Sequence, residues 1–224
     1  MKDPRATAAL CEVLRTPVMR KIRGCALLLT GMVFTTSMLG GLVAGLDAGL
    51  IYNEFPKMGK GYMPPTSELF NSFYSRAEDL SDLVWRNMLE NPATVQFQHR
   101  VVAISTFTAI CAVFAFSRFN PNVVKVLPKD VRKGLMGVLH LGSLQVLLGI
   151  GTLIYMVPTH LAATHQAGAL ALLSGCVLVL NRTWVPTQAG RIAQRMLAEQ
   201  VKKGAVKKGA VKGPVKGATK KVKA

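Results

Sequence analysis

The chain has 224 residues, of which 50% are hydrophobic and 17% are charged, with a formal net charge of +17 and a mean hydropathy of +0.31. These totals are compatible with a soluble domain, but the distribution of charge excludes one, because the uncharged residues are gathered into long runs. Nine lysines of the net charge lie in the last 24 residues, so the basic composition by itself says little about a partner.

Four apolar runs are each long enough to span a membrane. A helix needs about 20 apolar residues to cross the hydrocarbon core. The predicted spans are residues 24–46, 94–117, 134–157 and 160–181. The sequence therefore predicts an all-α membrane protein whose residues 24–186 form a bundle of four transmembrane helices. A cleaved leader would account for none of the last three runs.

The charges between the spans predict the orientation of the bundle. Basic residues precede the first span, separate the second from the third, and follow the fourth. The loop 47–93 instead has seven acidic residues against four basic ones, and the short turn 158–160 has no lysine or arginine. By the positive-inside rule, both termini are expected on the inner side, matrix or cytoplasmic, and the long loop on the outer side.

Three segments outside the spans have distinct compositions. Residues 1–23 form a basic N-terminal arm. In the outer loop, Ser75–Glu78 resembles a capping box before an amphipathic helix that ends at Asn91-Pro92, lying either on the membrane surface or on top of the bundle. Residues 187–224 are predicted to be a basic disordered tail, either solvated or in contact with lipid headgroups. Without interleaved aromatic residues, the tail gives no reason to expect a nucleic acid partner. The four cysteines show no metal-ligand spacing, and no disulfide is expected.

Two histidines within the apolar spans are the candidate functional residues. Ionisable side chains are rare in hydrocarbon and commonly functional there. The second and fourth spans run in the same direction, so His99 and His165 are expected at a similar depth, about one and a half turns below the outer surface. His140 falls in the opposite leaflet and His160 in the outer turn. The matched pair predicts a clamp for a planar iron cofactor, with His99 and His165 as its axial ligands.

The neighbours of these histidines suit a porphyrin. Small residues, among them Gly168, lie on the expected face of His165 and would let a flat ligand approach the helix. Arg100 is expected to hold a carboxylate such as a haem propionate, and Gln96 and Gln166 to orient a ring nitrogen or to cap the site. Zinc and di-iron sites are less favoured, because the spans offer neither a third ligand nor a Glu-x-x-His pair.

Four stretches of the sequence carry a family resemblance. They are GLVAGLDAGLIYNEFPKMG, ENPATVQFQHR, the segment Gln145–Ile150 and VPTHLAATHQAGAL. Over about residues 17–186 the chain resembles the C-terminal half of haem A synthases, and in particular their mitochondrial and alphaproteobacterial members. That family oxidises a methyl group of haem o to the formyl group of haem a for the assembly of cytochrome c oxidase. The resemblance implies a haem b between His99 and His165.

The resemblance also implies what a complete enzyme would contain. The family has eight spans in two bundles, and its N-terminal bundle holds a second histidine pair and a glutamate tied to catalysis. Neither has a counterpart here, so no catalytic residue is assigned. The leading hypothesis is that this chain supplies the b-haem bundle. The alternatives are a non-catalytic haem-binding assembly protein and an incomplete half of the enzyme that needs a separate N-terminal half.

Partners and location follow only from the resemblance. It implies haem o as the substrate of the complete enzyme, a ferredoxin-type electron donor, and the mitochondrial inner membrane, or the plasma membrane in a bacterium. Membrane lipid is an expected partner, and self-association is a possible one.

Overall fold

All regular elements of the described chain are helical. The computed structural model describes residues 4–211, and their side chains as far as residue 201. The helices are α1 (Pro4–Arg15), α2 (Pro17–Gly45), α3 (Thr66–Leu69), α4 (Leu83–Glu90), α5 (Pro92–Phe119), α6 (Pro121–Val126), α7 (Lys129–Ile154), α8 (Thr159–Thr183) and α9 (Thr187–Val211), with 3₁₀ turns at Ala48–Leu50 and Ser72–Tyr74. Four of these segments, α2, α5, α7 and the one that begins at Thr159, are long and apolar enough to cross a membrane. The prediction of an all-α, four-span membrane protein is confirmed.

The observed helices extend beyond the predicted spans at several ends. The first begins at Pro17 rather than at residue 24, so part of the predicted basic arm is helical, and the third begins at Lys129 rather than at residue 134. The N-terminus of α5 was easier to predict, because Pro92 occupies its first turn and Asn91 caps it by accepting a hydrogen bond from the Ala93 amide at 3.0 Å.

The four long helices pack as a bundle within the unit formed by residues 17–184. Helix α2 packs on α5 and α8, and α7 packs on the same two helices. Helices α5 and α8 therefore lie on one diagonal of the bundle, and α2 and α7 on the other. We call the end that carries the loop 46–91 the loop end, and the end that carries Pro17 and Trp184 the terminal end.

Helices α1 and α9 belong to a second unit, in which they pack on each other. Its contact is close: a Cβ atom on Gly190 would lie 3.0 Å from the Cys11 sulfur. The predicted disordered tail, 187–224, differs from the structure over residues 187–211, which are helical. The physical reason is that Thr187–Val201 carries apolar residues, such as the buried Ala193, which can pack. Residues 212–224 of that prediction lie outside the described residues.

The amphipathic helix of the loop is present but shorter than its sequence pattern predicts. It begins at Leu83, and Ser75 does not cap it. The Ser75 hydroxyl and the Arg76 amide instead donate hydrogen bonds to the Asp82 carboxylate, and these bonds hold the pKa of that carboxyl below its usual range. Asn87 is buried, whereas four apolar side chains of α4 are exposed, namely those of Val84, Trp85, Met88 and Leu89.

Candidate functional site

His99 lies about two turns into α5, with its imidazole against a glycine of α2. A Cβ atom on Gly40 would lie 3.2 Å from His99 Cε1, which is tighter than normal packing. The ring nitrogen Nδ1 is buried and has no hydrogen-bond partner. Gly40 therefore provides a seat for the imidazole that any larger residue would narrow.

His165 occupies an equivalent position on the other side of the bundle. It lies near the start of α8, and a Cβ atom on Gly149 of α7 would lie 3.2 Å from His165 Cε1. Its Nδ1 atom is also buried without a partner. Each histidine is thus seated on a glycine of the helix that precedes it in the bundle.

The fold brings the two predicted ligands together. They lie on the diagonal helices α5 and α8, each about two turns from the end of its helix at the loop end. Among the described residues, no three or more His, Cys, Asp or Glu side chains are grouped as a metal site would need. Two imidazoles without carboxylate or thiolate neighbours suit axial ligation of haem iron better than a zinc or di-iron centre.

Arg100 connects the site to the long loop. Its Nη1 donates to the Lys57 carbonyl at 3.0 Å and its Nη2 to the Tyr52 carbonyl at 2.8 Å. Gln96 Nε2 donates to the same Tyr52 carbonyl at 3.0 Å. The third guanidinium nitrogen of Arg100, Nε, is buried and has no hydrogen-bond partner. Arg100 therefore holds the loop down over the histidines, besides the propionate role predicted for it.

The loop segment over the site is held from its other side as well. The Tyr52 hydroxyl donates to Glu68 at 2.7 Å, and burial together with that carboxylate raises the pKa of Tyr52 to about 12. Asn53 Nδ2 donates at 2.9 Å to the carbonyl of Leu153, near the end of α7. The two neighbouring residues Tyr52 and Asn53 thus tie the loop to both α5 and α7.

Three other polar residues of the spans point away from the pair. Gln166, predicted to contact the cofactor, is exposed on α8, and the structure does not bring it to the two imidazoles. The side chains of His140 and His160 are exposed too.

The sequence analysis missed Gln145 as a site residue. Only 9% of it is exposed, its Nε2 atom is buried without a partner, and its amide lies against Gly168 of α8 so closely that a Cβ atom there would overlap it. The same reasoning that identified the histidines could have identified Gln145. Burying a polar amide in the middle of an apolar span costs free energy, so such a residue is a candidate binding residue.

Comparison with known proteins finds a matching family model and similar sequences. Residues 4–177 match the model of the COX15-CtaA family, described as cytochrome oxidase assembly protein. The chain belongs to this family. It is 48% identical over 153 residues to the haem A synthase–mitochondrial ferredoxin fusion protein of Schizosaccharomyces pombe, covering 68% of this chain and 24% of that protein. It is 40% identical over 186 residues to the haem A synthase COX15 of Saccharomyces cerevisiae, covering 83% of this chain and 38% of that protein.

A bacterial member of the family is similar to the same degree. The chain is 40% identical over 162 residues to the haem A synthase of Paramagnetospirillum magneticum, covering 71% of this chain and 40% of that protein. The chain therefore spans between about a quarter and two fifths of the length of these relatives. No solved structure matches it.

Proposed function

We propose that this chain acts in haem A synthesis as the b-haem bundle of a haem A synthase, which oxidises the methyl group of haem o to the formyl group of haem a for cytochrome c oxidase. One observation carries the proposal: two intramembrane histidines, His99 and His165, face the bundle interior from diagonal helices, each with a buried ring nitrogen that has no protein partner. The relatives are named haem A synthases, which supports a role in haem A synthesis.

The residues present fit a bis-imidazole haem. His99 and His165 would hold the iron, and Arg100, with its buried unpartnered Nε, would meet a propionate. A haem b bound here supplies one-electron transfer toward the oxidation of haem o. The chain's own residues orient and shield it: Gly40 and Gly149 set the positions of the imidazoles, and Arg100 and Gln96 hold the loop that covers the loop end.

Partners and compartment follow from the relatives. The S. pombe relative is named as a fusion with mitochondrial ferredoxin, which supports a ferredoxin-type electron donor for this chain. Relatives named from yeast and from a bacterium support the mitochondrial inner membrane, or the plasma membrane in a bacterium, as the location. The exposed apolar side chains of the bundle, such as Leu28, Leu147 and Leu170, support contact with lipid.

A second candidate is a haem-binding bundle that acts only with a separate partner. The observation that favours it is that the described spans bring only one histidine pair to the bundle interior. In this version a partner would contribute the catalytic bundle, or the protein would assist assembly without catalysis.

The ligand assignment is tested by substituting each histidine. His99→Ala and His165→Ala should each abolish the low-spin bis-imidazole absorption spectrum of the purified protein, because either change leaves the iron one axial ligand short. His140→Ala is the matched control, since its side chain is exposed on α7, and it should keep the spectrum. Retention of the wild-type spectrum by both His99→Ala and His165→Ala would refute the assignment.

Activity is tested by complementation in cells that cannot make haem a. Rescue by this chain alone would establish the enzyme and exclude the partner-dependent version. Rescue only when an N-terminal four-span half is co-expressed would establish the second candidate, and no rescue in either case would leave the bundle as a haem-binding protein outside the reaction.

A further inference from the structure

Gln145 is buried in the bundle with a side-chain amide nitrogen that has no hydrogen-bond partner among the described residues. It lies in the middle of α7 and is 9% exposed. Leaving an amide N–H unpaired in an apolar medium is costly. A leucine or methionine would avoid that cost, so the amide calls for an acceptor that is not part of the chain.

The position of Gln145 connects this amide to His165 through both neighbouring helices. On α7 it lies four residues before Gly149, the seat of His165, and therefore on the same helical face. On α8 its amide lies against Gly168, three residues after His165 and again on the same face. Gln145 is thus one turn from the histidine, toward the terminal end.

The equivalent position on the other side of the bundle shows what a structural polar residue looks like here. Thr36 lies four residues before Gly40, the seat of His99, but its hydroxyl is paired with Thr106 at 2.8 Å. Thr36 also donates to the Met32 carbonyl of its own helix at 2.8 Å. The two seats therefore differ: the polar residue beside His99 is satisfied by the protein, and the one beside His165 is not.

The face of α7 that carries Gln145 has a second unsatisfied group. Thr152 lies three residues beyond Gly149 on the same face, and its hydroxyl oxygen is buried without a partner. A flat ligand held between side chains of the diagonal helices α5 and α8 would present its edges to α2 and α7. Polar atoms on both sides of Gly149 are then in position to meet such an edge.

We propose that Gln145 is a binding residue for the tetrapyrrole held by His99 and His165, donating a hydrogen bond from its side-chain amide to a propionate carboxylate of that ligand. The proposal rests on the proposed haem site and adds a contact that stabilises the loaded protein at the expense of the empty one. This preference for the loaded protein distinguishes Gln145 from a residue that only packs, which would stabilise the haem-loaded and the haem-free protein equally.

The test compares the empty and the haem-loaded full-length protein for Gln145→Met, which keeps the length of the side chain and removes the amide. We expect iron protoporphyrin IX to bind about three- to tenfold more weakly, the loss of one hydrogen bond, with the bis-imidazole spectrum retained. The haem-free protein should unfold at the same temperature as the wild type or at a higher one, because its unpaired amide is gone.

A second variant reaches the same amide from α8. Gly168→Ala places a methyl group where the Gln145 amide lies, so it should weaken haem binding as Gln145→Met does. Gly175→Ala is its matched control, since a Cβ atom there would make ordinary contacts of 3.6 Å with Leu141 and Val138. Ser143→Ala is the control on α7, because the Ser143 hydroxyl donates to Leu139 within its own helix.

The outcomes separate this inference from the proposed function. Weaker haem binding by Gln145→Met and Gly168→Ala, with unimpaired stability of the haem-free protein, supports it. Wild-type haem affinity in Gln145→Met, or a less stable haem-free protein with unchanged affinity, overturns it and leaves the histidine assignment standing. A wild-type protein that binds no haem would instead overturn the proposed function, on which the inference depends.

Discussion

The half of the bundle near the loop end and the half near the terminal end differ in whether their buried polar atoms have hydrogen-bond partners. In the part of the chain that the structure describes, six buried side-chain nitrogen or oxygen atoms have no partner, and all six lie in the half nearest the loop end. They belong to Gln96, His99, Arg100, Gln145, Thr152 and His165. Because buried polar groups are normally paired, such a concentration supports the proposal that this end of the bundle binds a ligand.

In the terminal half the interior between α2, α7 and α8 is closely packed. Six side chains from α2, α7 and α8 leave a void of only ≈ 10 Å³ between them, namely those of Ala26, Leu29, Leu135, Val138, Cys176 and Val179. The guanidinium of Arg23, in this half, has partners. It donates hydrogen bonds from Nε and Nη2 to the Thr183 carbonyl and lies over the Trp184 ring. Glycines also have different roles in the two halves. Gly134 allows α7 to pack closely against Val179, whereas Gly40 and Gly149 make room for the imidazole rings.

The largest expected effect is a loss of stability caused by a substitution in the terminal half, away from the histidine site. Leu135 is 3% exposed, and Leu135→Ala should lower the free energy of unfolding by about 2–5 kcal/mol, the usual cost of such a cavity. Thermal unfolding in detergent measures it, and Met136→Ala, 40% exposed on the same helix, should cost far less. The haem spectrum of the folded fraction should not change. A loss of haem ligation in Leu135→Ala at temperatures where the protein remains folded would contradict the division into halves.

The next effect tests the glycine seats. Gly40→Ala and Gly149→Ala should each weaken haem binding by about tenfold, because the added methyl group displaces an imidazole from its position, and a tenfold loss corresponds to about 1.4 kcal/mol. Haem titration followed by absorption measures it.

Matched controls lie next to both seats. A Cβ atom on Gly41 or Gly151 would meet nothing within 4 Å, so Gly41→Ala and Gly151→Ala should bind haem as the wild type does. If all four variants weakened haem binding equally, helix flexibility rather than the seat would be responsible.

The smallest effect concerns the loop over the site. Burial and the hydrogen bond to Glu68 hold the Tyr52 phenol protonated, and its pKa of about 12 lies above the ordinary value of 10. A raised pKa means that this stabilisation is fully present below pH 10 and is lost as the pH rises through 12. Tyr52→Phe should cost about 0.5–1.5 kcal/mol at neutral pH.

An alkaline titration distinguishes this bond from mere packing of the ring. The phenolate absorbance of the wild type should include one late transition near pH 12, absent from Tyr52→Phe. The difference in stability between the two proteins should shrink over the same interval. A difference that stayed constant up to pH 12 would show that the hydroxyl is not held by Glu68.

Much of the architecture was predictable because it depends on the local sequence. The length of the apolar runs predicted the four spans, and Asn91-Pro92 predicted a helix boundary, since a cap and a proline act on their own neighbours. The α4 helix shows the limit: its start is set by Asp82, which takes the Ser75 hydroxyl away from a capping role.

The candidate site was predictable only in part. The histidine pair followed from depth, which depends on counting residues along each helix. Arg100 was noticed, but its bonds to the Tyr52 and Lys57 carbonyls join residues 48 and 43 positions apart, which no local pattern reveals. Gln145 looked like one polar residue among many until its amide was found against Gly168 without a partner.

The sequence by itself determined the number of spans, the family resemblance and the two histidines, because hydrophobic length and the cost of a charge in lipid are properties of the chain. Only the tertiary structure decided that α5 and α8 lie on one diagonal, that Gln166 faces outward and that Gln145 faces inward. The physical reason is that whether a polar group is satisfied depends on the rotation and register of neighbouring helices, and these are set by packing between distant parts of the chain.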